Sequence, residues 1–321
     1  MTPEQARIGG LARFAIGITV FNLLGHTILG FEPSGLQLVV TVATAYLAEI
    51  ALEAIGAWSE RRQPLFAGGF KRFVIFLLPA HITGFATSML VYGGDRLLPY
   101  IFAASLAIAS KSIFAVKFDG RRRHFMNPSN TGIVVTIFLF PSVSMAPPYH
   151  FTENLYGYWY WVLPAIFLCF GTFLNAMFTK KLPLIVTWVT AFALQAVVRH
   201  YLYATSLLGS LAPMLGVTFL LFTFYMITDP QTSPSSVRGQ IMFGAAVGAV
   251  YGLLIALHVV YAIVLSLFVV CVGRGLVLYT GKFAAHQKVR AWSSERLFTT
   301  FGRSPLTNPA PKDIVERFTK P

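Results

Sequence analysis

Residues 259–280 read VVYAIVLSLFVVCVGRGLVLYT, which is an almost unbroken apolar run. In a helix, about 20 such residues span the ~30 Å hydrocarbon core of a bilayer. Similar runs recur upstream, so the sequence predicts an all-α, polytopic membrane protein with about ten transmembrane helices. The fifth run is short enough to be a re-entrant segment, and a weak internal symmetry leaves an inverted repeat open. The runs lie at about 8–30, 35–56, 71–93, 97–116, 130–146, 157–178, 182–203, 207–227, 239–257 and 259–280.

The composition agrees with a bilayer environment. Of the 321 residues, 55% are hydrophobic and 12% are charged, whereas a soluble domain usually carries about 25% charged residues. A formal net charge of +13 in a soluble protein would suggest nucleic acid. Here the basic residues lie mostly in loops and in the tail, so no nucleic-acid partner is expected. Cys169 and Cys271 lie inside apolar runs and offer neither a disulfide framework nor a zinc-binding spacing.

Basic residues in alternate loops predict the orientation of the chain. Lysine and arginine are enriched after the second, fourth, sixth and eighth runs, and the opposite loops hold little beyond Arg96 and Arg199. By the positive-inside rule, both termini are predicted to face the cytoplasm. The chain then divides into a transmembrane domain at 1–281 and a basic cytoplasmic tail at 282–321. Anionic lipid would attract this tail, and a dedicated protein partner is the alternative.

The stretch RRRHFMNPSNTG at 121–132 is the first candidate binding motif. Pro128 breaks any helix that passes through it and frees backbone polar groups. At membrane depth such backbone is tolerated only inside protein or beside a polar cavity. The side-chain amides of Asn127 and Asn130 can bind that backbone or a ligand, and Arg123 with its two neighbours could hold a phosphate. The alternative is a helix start capped by Asn130 beside positive-inside charges.

The stretch YMITDPQTSPSSVRG at 225–239 is the second candidate motif. Its two prolines stiffen a turn between two apolar helices, and Thr232 is one of its five serine and threonine residues. Asp229 could cap a helix, pair with Arg238 or accept hydrogen bonds from a ligand. A surface turn is the alternative for any single residue, but the density of polar groups favours more. Because both motifs are predicted on the cytoplasmic side, they could line one pocket for an anionic ligand.

Ionisable residues within the apolar runs form a third group, since such residues are costly in a bilayer and often functional. Glu49 and Lys111 could be a buried pair or part of a proton or ion path. Lys111 also lies close enough to its helix end to snorkel. For lone histidines such as His81, an interior hydrogen bond is the expected role. The sequence has no phosphate-cradling glycine loop, zinc motif or nucleophile elbow, so it predicts no metal site and assigns no catalytic residue.

Several of these residues resemble the motifs of one membrane family. Thr83-Gly84, Lys111 and Met126-Asn127-Pro128 resemble its T-G, G-K-x-x-F and F-N-P-A motifs, and FYMITDPQTSP at 224–234 resembles F-F-M-A-T-D-P-x-T-S-P. This is the NqrB/RnfD family, whose members are membrane subunits of the sodium-translocating NADH:quinone reductase and of the Rnf electron-transport complex. The resemblance covers about residues 35–280. It implies a subunit in the bacterial cytoplasmic membrane, with redox partner subunits and a flavin or quinone ligand near Gly84, Lys111 and the two proline motifs.

Within that family, the chain is most similar to enediyne-biosynthesis membrane proteins of the UnbU type, over nearly its whole length except the tail. It departs from the redox members, which carry a covalent flavin on the threonine of an S-G-A-T motif. The corresponding stretch at 142–157 reads SVSMAPPYHFTENLYG. Covalent FMN is therefore not expected, and any FMN or riboflavin would be bound noncovalently. Ser110 and Ser129 also stand where the family motifs have glycine and alanine.

The sequence thus predicts an integral membrane subunit of an electron-transfer or redox-coupled system that binds flavin or quinone noncovalently. A transporter-like protein for a small solute or ion is one alternative, because broken helices suit a midplane binding site. A membrane scaffold for a natural-product biosynthetic cluster is another. A flavin spectrum in purified protein would favour the first, solute uptake into liposomes the second, and a stable partner without either property the third.

Overall fold

The computed structural model of the protein describes residues 3–118, 121–147 and 151–280. The predicted tail at 282–321 lies outside the described residues. Within these ranges the chain is built mainly of helices, with short antiparallel strand pairs β1–β4 and β2–β3. The elements are α1 (Pro3–Leu24), α2 (Gly35–Ser59), α3 (Phe70–Leu90), β1 (Val91–Tyr92), α4 (Leu98–Ile113), β2 (Ala115–Phe118), β3 (Arg121–His124), α5 (Pro128–Leu139), β4 (Ser144–Met145), α6 (Trp159–Leu174), α7 (Leu182–Tyr203), α8 (Leu207–Leu211), α9 (Val217–Leu221), α10 (Val237–Ala256) and α11 (Ala262–Thr280).

The predicted all-α polytopic architecture is confirmed, but the predicted number of spans is not. Seven helices in the described part are long and apolar enough to cross a membrane, or eight if a bent pair counts as one span. That pair, Leu207–Leu215 and Val217–Met226, bends by 64°. The runs predicted at 97–116 and 130–146 contain only α4 and α5, of 16 and 12 residues. At ~1.5 Å per residue, both are shorter than the ~30 Å hydrocarbon core.

Helices α1 and α6 end in the same way. Each passes into a five-residue π-turn, Gly25–Leu29 or Asn175–Thr179, which is followed by a left-handed residue. That residue is Gly30 at φ 82° in one case and Lys180 at φ 53° in the other. After α6 the turn leads at once into α7, so Lys181 is the N-cap of α7, whereas residues 31–34 separate Gly30 from α2. This similarity is limited to the ends of α1 and α6. It does not test the inverted repeat, which stays a prediction.

Small residues let the helices around the site pack closely. A Cβ atom on Gly132 of α5 would overlap the backbone carbonyl of Ala103 in α4. A Cβ atom on Gly244 of α10 would lie 2.9 Å from the carbonyl oxygen of Leu184 in α7. Close backbone approach of this kind is the usual way in which membrane helices associate. It fixes α5 against α4, and it thereby holds the proline motif in place beside α4.

The β2–β3 hairpin occupies the connection between α4 and α5. Its register pairs Ala115 with His124 and Val116 with Arg123. The hairpin uses residues that would otherwise extend α4, so the chain enters α5 directly from the end of β3. This geometry places His124 only a few residues before the first turn of α5.

Candidate functional site

Asn127 joins the two proline motifs directly. Its Oδ1 accepts from the backbone N–H of Asn130 and from the Ser129 hydroxyl, both at 3.0 Å, which is an N-cap on α5. Its Nδ2 donates to the carbonyl oxygen of Met226 at 3.1 Å. Met226 closes the π-turn after α9. The start of one broken helix is therefore bonded to the end of another, across 99 residues of sequence.

Asp229 organises the loop that follows. Its Oδ2 accepts from the Thr232 hydroxyl at 2.6 Å, and its Oδ1 accepts from the backbone N–H of Gln231 at 3.1 Å. Its carbonyl oxygen accepts from both the backbone N–H and the hydroxyl of Ser233, at 2.9 Å and 2.7 Å. The hydroxyl residues of this motif are thus largely used to hold the turn in one conformation.

The Asp229 carboxylate also faces His124. Nε2 of His124 lies 3.6 Å from Oδ2, and the two side chains are 10% and 20% exposed. Burial acts to raise the pKa of Asp229, but His124 and the hydrogen bonds from Thr232 and Gln231 outweigh it, so the pKa lies below its usual value. The carboxylate is therefore ionised at neutral pH and presents a negative charge at the edge of the site.

Two cations hold the same loop from its other side. Lys181, which is 3% exposed, donates from Nζ to the carbonyl oxygens of Pro234 at 2.5 Å and Ser233 at 3.4 Å. Arg274 of α11 donates to the carbonyl oxygen of Thr232. Burial lowers the pKa of Lys181 to about 8, although the nearby negative charge of Asp229 partly opposes this. These cations are engaged by the protein backbone.

Lys111 and Glu49 form an ion pair between α4 and α2. Nζ lies 3.0 Å from Oε2, with side-chain exposures of 14% and 19%. For Lys111, the sequence left open an ion pair with Glu49 or snorkelling to the membrane surface. The structure contains the ion pair. An ion pair within apolar helices has a large desolvation cost, which argues for a functional role.

A cavity of about 520 Å³ lies between α1, α3, α6 and the α9 turn. Most of its polar groups gather at one end, where both proline motifs contribute, and the rest of its wall is mainly apolar and aromatic. The volume falls in the range of about 300–1,000 Å³ that is typical of small-molecule sites. We call the lining residues around the two motifs the polar end of the cavity: His124, Asn127, Ser129, Asp229 and Gln231, together with Lys111; Thr83 is a further polar residue in the wall.

The aromatic wall offers flat surfaces. The rings of Phe14 and Tyr225 are parallel to within 3°, with centroids 5.1 Å apart, and Phe167 meets Tyr225 edge-on at 6.3 Å. All three line the cavity. Rings in this arrangement can also receive a flat ligand by stacking.

The wall of the cavity includes exposed residues at two places. Pro230 and Gln231 line it and are exposed on the loop side. Val20 and Ile166 also line it, and they are 49% and 56% exposed on the apolar flank between α1 and α6. A ligand could therefore enter from the aqueous loop side or laterally from the bilayer.

The predicted binding residues divide between the cavity and its surroundings. Asn127, Pro128, Lys111 and Asp229 line the cavity. The other five lie outside its wall. Asn130 donates from Nδ2 to the carbonyl oxygen of Val264 at 3.1 Å, and Thr232 is buried against Asp229. A Cβ atom on Gly84 would meet Cα of Val42 at 3.1 Å, which makes this glycine a contact between α2 and α3. Arg123 and Arg238 are exposed.

Sequence reasoning missed three residues that build the site. His124 stands inside the first motif, but the arginines and amides around it are the stronger signals. Lys181 counts in the sequence only among the loop charges that set orientation. Arg274 is the single charged residue in the run at 259–280. Because an isolated charge in an apolar helix is often functional, this position could have been identified from the sequence.

Within residues 3–118, 121–147 and 151–280, no three His, Cys, Asp or Glu side chains come together in a way that could hold a metal ion. No protein-family model and no curated protein matches this chain. The family resemblance of its motifs therefore stays a prediction.

Proposed function

We propose that the protein is an integral membrane subunit of an electron-transfer or redox-coupled system, and that its cavity binds FMN, riboflavin or a quinone noncovalently. The observation that carries the proposal is the amphipathic cavity, which is polar at one end and mainly apolar and aromatic elsewhere. Flavins and quinones share this polarity, because each has a flat ring system with carbonyl oxygens at its edge. The resemblance to redox subunits points in the same direction.

The polar end suits the chemistry of such a ring. Lys111 is a hydrogen-bond donor, and Asn127 and His124 can each donate or accept. Asp229 supplies an acceptor for the N–H or O–H groups that appear when the ring is reduced. Charged groups beside a bound flavin or quinone also set its reduction potential. The residues that line the cavity thus favour a group whose protonation changes with its redox state.

A transporter for a small solute or ion is the second candidate. One observation favours it: α5 begins and the α9 turn ends at the same polar centre, and the Asn127–Met226 hydrogen bond joins them. Discontinuous helices that meet inside a membrane protein commonly form a transport site. The exposed lining residues on the loop side and on the apolar flank are compatible with either candidate.

The absorption spectrum and the extracted small molecules of detergent-purified protein test the proposal. We expect a flavin or a quinone to copurify. Gly17→Leu fills the cavity, since a Cβ atom there meets only the Phe170 ring at 3.9 Å, and it should abolish copurification. Gly273→Leu is the matched control, because Gly273 is exposed on α11 with open space around it. Solute uptake into liposomes by protein that holds no chromophore or quinone would favour the transporter instead.

Asp229→Asn separates binding from helix and turn capping. The amide keeps the shape and an acceptor oxygen for Thr232, but it removes the charge that faces His124. We expect near-normal thermal stability together with loss of the bound ligand. Equal ligand retention in the variant and the parent would leave Asp229 as a cap of the turn, without a part in binding.

A further inference from the structure

A second polar feature lies in the seam between α1, α2 and α3, next to the cavity and outside its wall. His81 of α3 is at its centre. Nδ1 of His81 lies 2.5 Å from the hydroxyl oxygen of Tyr46 in α2, and Nε2 lies 2.7 Å from Oγ1 of Thr19 in α1. Both ring nitrogens of one half-buried imidazole thus meet hydroxyl groups from two other helices.

The hydrogen bonds of this group have a definite order. The Thr19 hydroxyl donates to the carbonyl oxygen of Ala15 at 2.7 Å, so its oxygen is left to accept from His81. His81 then carries its proton on Nε2, and Nδ1 accepts from the Tyr46 hydroxyl. This is a continuous chain of donors and acceptors, in which each member can pass one proton and take up another.

One helical turn of α2 connects this chain to the cavity. Glu49 follows Tyr46 by three residues and shares its face of α2. Its Oε2 lies 3.0 Å from Nζ of Lys111, and Lys111 lines the polar end of the cavity. A single bridging water between Tyr46 and Glu49 would make the chain continuous from His81 to the cavity.

Further polar residues lie beyond His81, toward the C-terminal end of α1. Asn22 lies three residues after Thr19, and Ser88 lies two turns after His81, so each repeats the same helical face. Asn22 is fully buried and Ser88 is 1% exposed. Asn22 Oδ1, Ser88 Oγ and Nε2 of His26 are buried and have no hydrogen-bond partner among the described residues. Buried polar atoms in such a position are ordinarily satisfied by ordered water.

We propose that this seam is a proton path, which joins the membrane face at the end of α1 to the cavity through Asn22, His81, Tyr46 and Glu49. Its substrate is the proton of water or hydronium. Pro230 and Gln231 line the cavity and are exposed, so we place the other end of the path at their loop. The path does not depend on a flavin or quinone in the cavity.

Each step moves one proton and leaves every other bond unchanged. The Lys111 ammonium gives one proton to the Glu49 carboxylate, and the neutral amine takes another from hydronium in the cavity. Neutral Glu49 passes its proton through the bridging water to the Tyr46 hydroxyl oxygen, as that hydroxyl gives its own proton to Nδ1 of His81. His81 then gives its Nε2 proton to Oγ1 of Thr19, whose hydroxyl releases its own proton to water in the Asn22 region. Return of the imidazole proton from Nδ1 to Nε2 restores the starting state.

The charges that face this path come from neighbouring helices. Glu49 belongs to α2 and Lys111 to α4, while α1 contributes His26 near the far end. On α3, Phe85 packs on His81 with ring centroids 4.5 Å apart. The two ring nitrogens, which lie in the plane of the imidazole, face the hydroxyl groups of Thr19 and Tyr46.

The test is proton flux into liposomes that contain the purified protein, with a pH-sensitive dye inside and a potassium diffusion potential imposed by valinomycin. The parent protein should carry protons faster than protein-free liposomes. His81→Phe and Tyr46→Phe should each lower that flux by at least about tenfold, since a positioned proton carrier commonly contributes about 10²–10⁴-fold. Tyr201→Phe is the matched control, because Tyr201 is 81% exposed at the end of α7, and its flux should equal that of the parent.

Parent flux no greater than that of protein-free liposomes would overturn the proposal, as would unchanged flux in Tyr46→Phe. Tyr46→Phe keeps the ring in place and removes only the hydroxyl, so it carries the test even if His81→Phe destabilises the seam. The assay requires no redox reaction. A lack of flux in protein that copurifies with flavin would reject the proton path alone, and flux without any chromophore would reject the redox proposal alone.

Discussion

Lys181→Met should change how the stability of the protein depends on pH. Lys181 is 3% exposed, and burial lowers its pKa from 10.5 to about 8. The unfolded chain therefore binds this proton more tightly than the native protein does. Below about pH 8 the lysine is charged in both states, and the native protein bears the full cost of burying the charge.

The size of this cost follows from the two pKa values. The difference between 10.5 and about 8, at about 1.36 kcal/mol for each unit of pKa, gives about 3 kcal/mol. Between about pH 8 and pH 10.5 the unfolded state holds a proton that the native state has lost, so stability rises with pH. The native protein should recover about 3 kcal/mol across this window from Lys181.

Thermal unfolding in detergent, measured from pH 7 to pH 10.5, checks this. The parent and Lys181→Met share every other titrating group, so the difference between their two curves isolates Lys181. Lys180→Met is the matched control, since Lys180 is the exposed neighbour of Lys181, and its difference curve should be flat. Equal pH dependence in the parent and Lys181→Met would refute the reasoning, even if the variant were less stable overall.

Three further predictions follow from the cap, the basic loops and the missing flavin motif. Asn127→Ala should lower the free energy of unfolding by about 1–3 kcal/mol, because it removes a cap and the hydrogen bond to Met226; a loss under about 0.5 kcal/mol in thermal unfolding would contradict this. Reporter fusions active only in the periplasm should be inactive at Pro321 and active near Glu153, and activity at Pro321 would reverse the predicted orientation. Intact-mass spectrometry after coexpression with a flavin transferase should give the unmodified mass, whereas added FMN on Thr152 would overturn the prediction of noncovalent binding.

Apolar length predicted the class of fold, but the predicted number of ten spans is not confirmed by the described residues. The run at 97–116 includes residues from Ala115 onward that the structure uses in a β-hairpin, and the run at 130–146 includes β4. Hydropathy cannot distinguish a buried short helix from a spanning one, because α4 and α5 are as apolar as their neighbours. The β2–β3 hairpin follows the end of α4, and Pro128 is the first residue of α5. The proline was visible in the sequence, whereas the hairpin was not predicted.

The two proline motifs were identified from sequence because irregular backbone in an apolar run needs polar partners. Their side chains lie at one end of a cavity, yet the partners of each could not be derived from local pattern. Asn127 bonds to Met226 and Lys181 bonds to Pro234, and both contacts join segments far apart in the chain. Arg123 and Arg238 stood out through their charge, but they are exposed, whereas His124 faces Asp229.

The Asn127–Met226 hydrogen bond has a consequence for how the protein is made. Its two partners are separated by 99 residues, which a ribosome adds in roughly 5–20 s at about 5–20 residues per second. During that interval α5 is already in the nascent chain, but the carbonyl that its cap will bind does not yet exist. The polar end of the cavity is therefore a late product of biogenesis, and a chain halted before residue 226 carries the first motif without its partner.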